Sequence, residues 1–95
     1  MADVRKERAT AFGKAHRKEI KDGLISQRNA CLMYLKEYGS ITPLEALNAF
    51  GCFRLSAIIY NLRHRDGYVI SMTINDDGKP YAIYTLIEDG EDYEG

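Results

Sequence analysis

The stretch GSITPLEALNAFGCFRLSAIIYNLRHR, Gly39 to Arg65, spells out two helices and the tight turn between them. Thr42-Pro43-Leu44-Glu45 is a capping box. The Thr42 hydroxyl can accept from an orphan N–H of the first turn, the Glu45 carboxylate can reach back to the backbone of Thr42, and Pro43 has no N–H to leave unsatisfied. A helix is therefore predicted from Pro43. It runs to Asn48 or Ala49, because Gly51 can take the left-handed backbone that ends a helix and re-aims the chain. A second helix follows from about Phe53 to Arg65, with Leu55, Ile58, Ile59 and Leu62 at i, i+3, i+4 and i+7 forming one apolar stripe. A short supporting helix, a glycine turn and a longer helix with one free face make a helix-turn-helix, the arrangement that presents a helix to the major groove of duplex DNA.

Upstream, Ser26 caps a helix that carries Cys31, Leu32, Leu35 and Tyr38 at helical spacing and ends at Gly39, with Ser40-Ile41 as a short connector. Three helices result, in helix-turn-helix order. Residues 1–25 read as a basic leader or arm, a frayed helix or a mobile segment, in which Phe12, Ala15 and Ile20 are the only candidates for a buried face. Downstream the period changes to two: Tyr68, Ile70, Met72 and Ile74 alternate with Val69, Ser71, Thr73 and Asn75 as in a half-buried strand. Asn75-Asp76-Asp77-Gly78 is a turn, and Tyr81 to Leu86 is the returning strand. The expected fold is α+β, a winged helix-turn-helix over residues 26–87, with a three-helix core followed by a two-stranded antiparallel hairpin wing. Residues 88–95 read as an acidic disordered tail.

At 95 residues the chain supports one domain. A hydrophobic content of 45% and a net charge of −1 exclude a chain that is disordered throughout or globally basic. The average conceals an asymmetry. Residues 1–25 carry seven Lys/Arg against four acids and residues 26–67 five against three, whereas residues 68–95 carry one against seven. The first two thirds suit a polyanion and the last third is repelled by one. Cys31 and Cys52 form no Cys-x-x-Cys pair, and with His16 and His64 they match the spacing of no metal module, so no metal and no cofactor are expected. Reduced thiols, the lack of an apolar N-terminal run and the lack of an apolar stretch of about 18 residues point to the cytoplasm, away from a membrane. No nucleophile motif or Gly-rich phosphate loop is present, and an enzyme is not expected.

The segment from Tyr34 to Ile70 resembles a family of small helix-turn-helix proteins found mostly in bacteriophages and prophages. Gly39-Ser40-Ile41-Thr42, Glu45-Ala46, Phe50-Gly51, Arg54-Leu55-Ser56-Ala57, Leu62-Arg63 and Gly67-Tyr68 carry the resemblance. It implies a winged-helix fold, a bacterial cytoplasm and DNA binding. Many relatives have a basic residue within the segment matching Ser56-Ala57-Ile58-Ile59, which is uncharged here.

At about 100° per residue, the face opposite the apolar stripe is made by Phe53, Ala57, Tyr60 and His64, with Arg54, Ser56, Asn61 and Arg63 on its flanks. Asn61 can bond an adenine edge, Arg54 or Arg63 a guanine or a phosphate, and Ala57 can touch a thymine methyl. Arg54 and Arg63 equally suit solvation or pairing with Glu45 or Asp66. Phe53, at the turn, is expected to plug the core. Lys79 on the wing can reach a phosphate, although Asp76 and Asp77 beside it oppose one. Arg5, Lys6, Arg8, Arg17 and Lys18 can track phosphates as the basic arms of other helix-turn-helix proteins do. A single module with few phosphate contacts binds weakly, so a homodimer is a further expectation, through the leader or the tyrosines. The leading function is a transcriptional regulator on double-stranded DNA. The alternative is a small phage protein that uses the same scaffold to bind and inhibit a host protein, such as a nucleic-acid-binding defence enzyme, for which the acidic last third is suited.

Overall fold

The capping chemistry sets the helices. The structure, a computed structural model, describes residues 4–76 and 78–88. Helix α2 (Gln27–Tyr38) starts at Ser26, whose hydroxyl accepts from the Asn29 N–H at 3.1 Å, and stops at Gly39 with φ at 89°. Helix α3 (Pro43–Phe50) carries the full capping box, with Glu45 N–H donating to Thr42 Oγ1 at 3.2 Å and Thr42 N–H donating to Glu45 Oε1 at 2.9 Å. Gly51, at a φ of 68°, ends it one residue beyond the expected limit. Helix α4 (Leu55–His64) begins two residues later than the expected start near Phe53, at the first residue of the apolar stripe. Cys52 turns into the core and Phe53 is left outside, so the chain straightens for one more step before α4 winds.

The basic leader is a helix. Residues Val4–Lys21 form α1, which lies across α3 and is part of the core. Ala9, Phe12 and Gly13 face inward, while Ala15 is exposed and Ile20 half-buried. The two backbones approach so closely that a Cβ at Gly13 would stand 3.1 Å from the Ala49 carbonyl oxygen. Only a residue without a side chain fits that crossing without displacement. The Phe12 ring then meets Tyr34 edge-on at 5.1 Å and Phe50 at 5.9 Å between centroids. Small residues at positions 9 and 13 with an aromatic between them dock α1, a pattern hidden by the cations around it.

The sheet has three strands where two were expected. The connector Ser40–Ile41 becomes β1 and pairs antiparallel with β3 (Tyr81–Glu88), Ser40 opposite Thr85 and Ile41 opposite Tyr84. Strand β2 (Val69–Asn75) pairs with the other side of β3, with an irregularity between Val69 and Ile70, so the order is β1-β3-β2. Tyr34, Leu35, Ile41, Leu55, Ile59, Leu62 and Ile70 fill the centre. The expected alternation of β2 holds at Ile70 alone: Met72 and Ile74 are 50% and 55% exposed, because the hairpin runs on past the helices that would cover them. Beyond Glu88 the expected acidic tail lies outside the described residues, as does Asp77.

Burial also shapes the titration of the core. Cys31 and Cys52 are both free and buried, and burial, helped by the nearby Cys52 sulfur, pushes the Cys31 thiol from 9.0 up to about 12. Burial, then the hydrogen bond to Glu45, raises the Tyr34 hydroxyl above its ordinary 10.0. Above pH 9 the unfolded chain releases the thiol proton while the folded chain keeps it. The unfolded state therefore binds fewer protons, and stability falls as pH rises through that window. Urea midpoints measured from neutral pH upward are expected to decline from near pH 9 and more steeply above 10. Cys31→Ala should remove the earlier part of the decline and leave the later part, which Tyr34 sets.

Candidate nucleic-acid interface

Helix α4 buries Leu55, Ile59 and Leu62 and turns the opposite face outward. Arg54, Ser56, Ala57, Tyr60, Arg63 and His64 are exposed there and Asn61 is half-buried. The Tyr60 ring lies 4.3 Å from that of His64, so the two form one aromatic ridge. Arg63 stands in the last turn, where a cation complements the helix dipole, and His64 follows it. At the other end no side chain caps the first turn. Phe53, expected in the core, is 85% exposed.

The acids that could have neutralised this face are engaged elsewhere. Asp66 accepts from Arg28, with Nη2 at 2.5 Å and Nε at 3.1 Å from the same oxygen. Glu45, almost wholly buried, takes Arg5 on one oxygen at 2.9 Å and Arg8 on the other at 2.7 Å. Its second oxygen also accepts from the Tyr34 hydroxyl at 2.5 Å, and its first completes the capping box. Among the described residues neither Arg54 nor Arg63 pairs with an acid.

The N-terminal cations divide into two groups. Arg5 and Arg8 turn inward to Glu45 and also reach Ser40, Arg8 donating to its carbonyl oxygen at 2.7 Å and to its hydroxyl at 3.0 Å. Burial works against the Arg8 guanidinium, but Glu45 outweighs it and leaves that pKa above its ordinary value. Arg8 also lies over the rings of Tyr38 and Tyr34, at 5.1 and 5.6 Å. Arg17 donates to the Asn48 carbonyl at 2.6 Å, closing the end of α3. Lys6 and Lys18 are exposed.

On the wing, Lys79 is exposed at the tip and borders a depression of about 860 Å³ that it shares with Arg5, Lys6, Leu44, Phe53 and Tyr81. The fold therefore sets the wing tip beside the turn between α3 and α4. The role of Glu45 and Tyr34 as the hub that holds α1 was missed from the sequence, where Glu45 reads as a cap or as a partner of Arg54 or Arg63. Its signal was present: Arg5, Arg8 and Phe12 fall at i, i+3 and i+7, one face of a helix.

A family model of the winged helix-turn-helix domain matches residues 26–89, which contain α2, the α3–α4 pair and all three strands. The chain belongs to the winged helix-turn-helix domain family. A helix-turn-helix domain is a DNA-binding fold, and α4 is the second helix of this one. Helix α1 precedes the matched residues. Neither a curated protein nor a solved structure matches the chain. Among the described residues no helix is long and apolar enough to cross a membrane.

Proposed function

We propose that this winged helix-turn-helix protein is a transcriptional regulator of phage or prophage type that reads duplex DNA with α4. The observation that carries this is the outward face of α4, on which Arg54 and Arg63 are exposed and, among the described residues, pair with no acid, Glu45 and Asp66 being engaged by other arginines. Arg54 and Arg63 take phosphates or a guanine edge, Asn61 an adenine edge and Ala57 a thymine methyl, with Ser56, Tyr60 and His64 around them. Lys79 supplies a phosphate contact from the wing, and Lys6 and Lys18 supply others from α1. Arg5, Arg8 and Arg17 contribute positive potential at the margin while holding α1 in place. The phage setting rests on the resemblance of residues 34–70.

Selection of bound duplexes from a random-sequence pool, with the winners followed as salt is raised, tests the proposal. An enriched motif supports it; absence of binding at low salt overturns it. The double variant Tyr60→Ala with Asn61→Ala should melt as the parent does, since both residues lie off the apolar stripe. It should bind the selected duplex at least about tenfold more weakly, the value of one good base contact. Unchanged affinity, read by titration, would place DNA binding elsewhere on the molecule.

A second reading is favoured by one observation. Phe53 stands 85% exposed and Tyr60 60% exposed, and aromatic side chains left in solvent serve as anchors for protein partners. On that reading the same face binds a host protein, and capture of a stable partner from a host extract, with no selected DNA motif, supports it.

A further inference from the structure

We propose that β2 is the dimerisation edge of this protein, pairing antiparallel with β2 of a second copy to join the two sheets into one. In the order β1-β3-β2 it is a terminal strand, so every second residue along its outer side directs its N–H and C=O away from β3. Soluble proteins usually guard such an edge with lysine, proline or a very short strand. Here the strand is Val69-Ile-Ser-Met-Thr-Ile-Asn75, which is seven residues long with no charge and no proline, and its irregularity is confined to the Val69 end.

The occupant is a second copy because the strand complements itself. An antiparallel pair centred on Met72 sets Met72 opposite Met72 of the second copy, Ile70 opposite Ile74 and Ser71 opposite Thr73. Apolar meets apolar on one face and hydroxyl meets hydroxyl on the other, the combinations that stabilise cross-strand neighbours. That register also covers Met72 and Ile74, which a single copy leaves about half exposed.

The two-fold axis of such a pair stands perpendicular to the sheet. The face of the sheet that packs on α4 is thus shared, and both α4 helices lie on the same side of the joined sheet. The proposal stands on the edge of β2 and does not depend on what α4 binds.

Analytical ultracentrifugation of the full chain without DNA, over the micromolar range, tests it. The expected mass is double that of one chain. Met72→Lys alone and Met72→Glu alone should each sediment as a single chain, because the two like charges would face each other across the axis. Mixing the two variants in equal amounts should restore the doubled mass, which also shows that both are folded. A parent chain that stays single throughout, charged variants that associate as the parent does, or a mixture that stays single while each variant keeps a cooperative melt would overturn the proposal.

Discussion

Glu45→Ala is expected to lower folding stability by about 3–5 kcal/mol and to release α1 from the domain, because the change strips a buried carboxylate from two arginines, a tyrosine and a helix cap at once. The Glu45 side chain is only 3% exposed, while Arg5 and Arg8 are 32% and 16% exposed. Removing the acid leaves the Arg8 charge in a confined site beside the rings of Tyr34 and Tyr38 with no counter-charge. Loss of the Glu45 half of the capping box is the smaller part of the total, since Thr42 still accepts from the N–H of residue 45. The rest arises from the desolvated pair. Glu45→Gln separates the two contributions, since its single amide oxygen can still accept from the Thr42 N–H, whereas its NH2 group replaces the oxygen that takes the Tyr34 hydroxyl and the amide cannot balance the arginines. Urea denaturation should rank parent, Gln and Ala in that order. Limited proteolysis should cut within residues 4–21 much sooner in the Ala variant. Equal midpoints for parent and Ala variant would mean that the network does not hold α1.

Phe12→Ala is expected to cost about 3–5 kcal/mol as well, the range for deleting a buried aromatic. Its ring is 2% exposed and touches Tyr34 and Phe50, so the vacated space lies where α1, α2 and α3 meet. The neighbouring Gly13 contact prevents easy collapse, since the backbones of α1 and α3 are already in contact there. Thermal melts should show a lower midpoint with the native helical signal kept at low temperature. The double variant Phe12→Ala with Glu45→Ala should lose less than the two single losses combined, because both act by undocking the same helix and sites in one interface are not additive. For a domain whose whole stability is of the order of 5–15 kcal/mol, either change brings it close to unfolding.

The helix-turn-helix was legible because its boundaries are written in local chemistry. Thr42, Pro43, Glu45, Ser26, Gly39 and Gly51 each act within four residues of their own position, and each acts in the structure as the sequence implied. The outward set on α4 was legible for the same reason, through the period of Leu55, Ile59 and Leu62. What stayed hidden depends on distant partners. Arg5, Lys6, Arg8, Arg17 and Lys18 read as a phosphate-tracking arm, while Glu45, some forty residues away, pairs with Arg5 and Arg8. Ser40-Ile41 is too short to show a strand period, and only Tyr84 and Thr85 make it one. Met72 and Ile74 have the right alternation, but their burial depends on how far the helices reach along the hairpin. Phe53 was placed inside on hydrophobicity, whereas the turn had room for one inward side chain and Cys52 took it.

The pairing of β1 with β3 has a mechanical consequence. Ser40 and Ile41 stand just before α3, and their strand partners Thr85 and Tyr84 lie on the far arm of the wing, with Leu86 N–H donating to the Gly39 carbonyl at 2.9 Å. The chain from Gly39 to Leu86 is thereby closed like a buckled strap, with α3, α4 and the hairpin threaded on it. Tilting the wing relative to α4 would require opening the buckle or bending β3 along its length. A surface that touched both helix and wing would therefore meet a single stamp of preset spacing, and its fit would be decided by how well it conforms to that stamp.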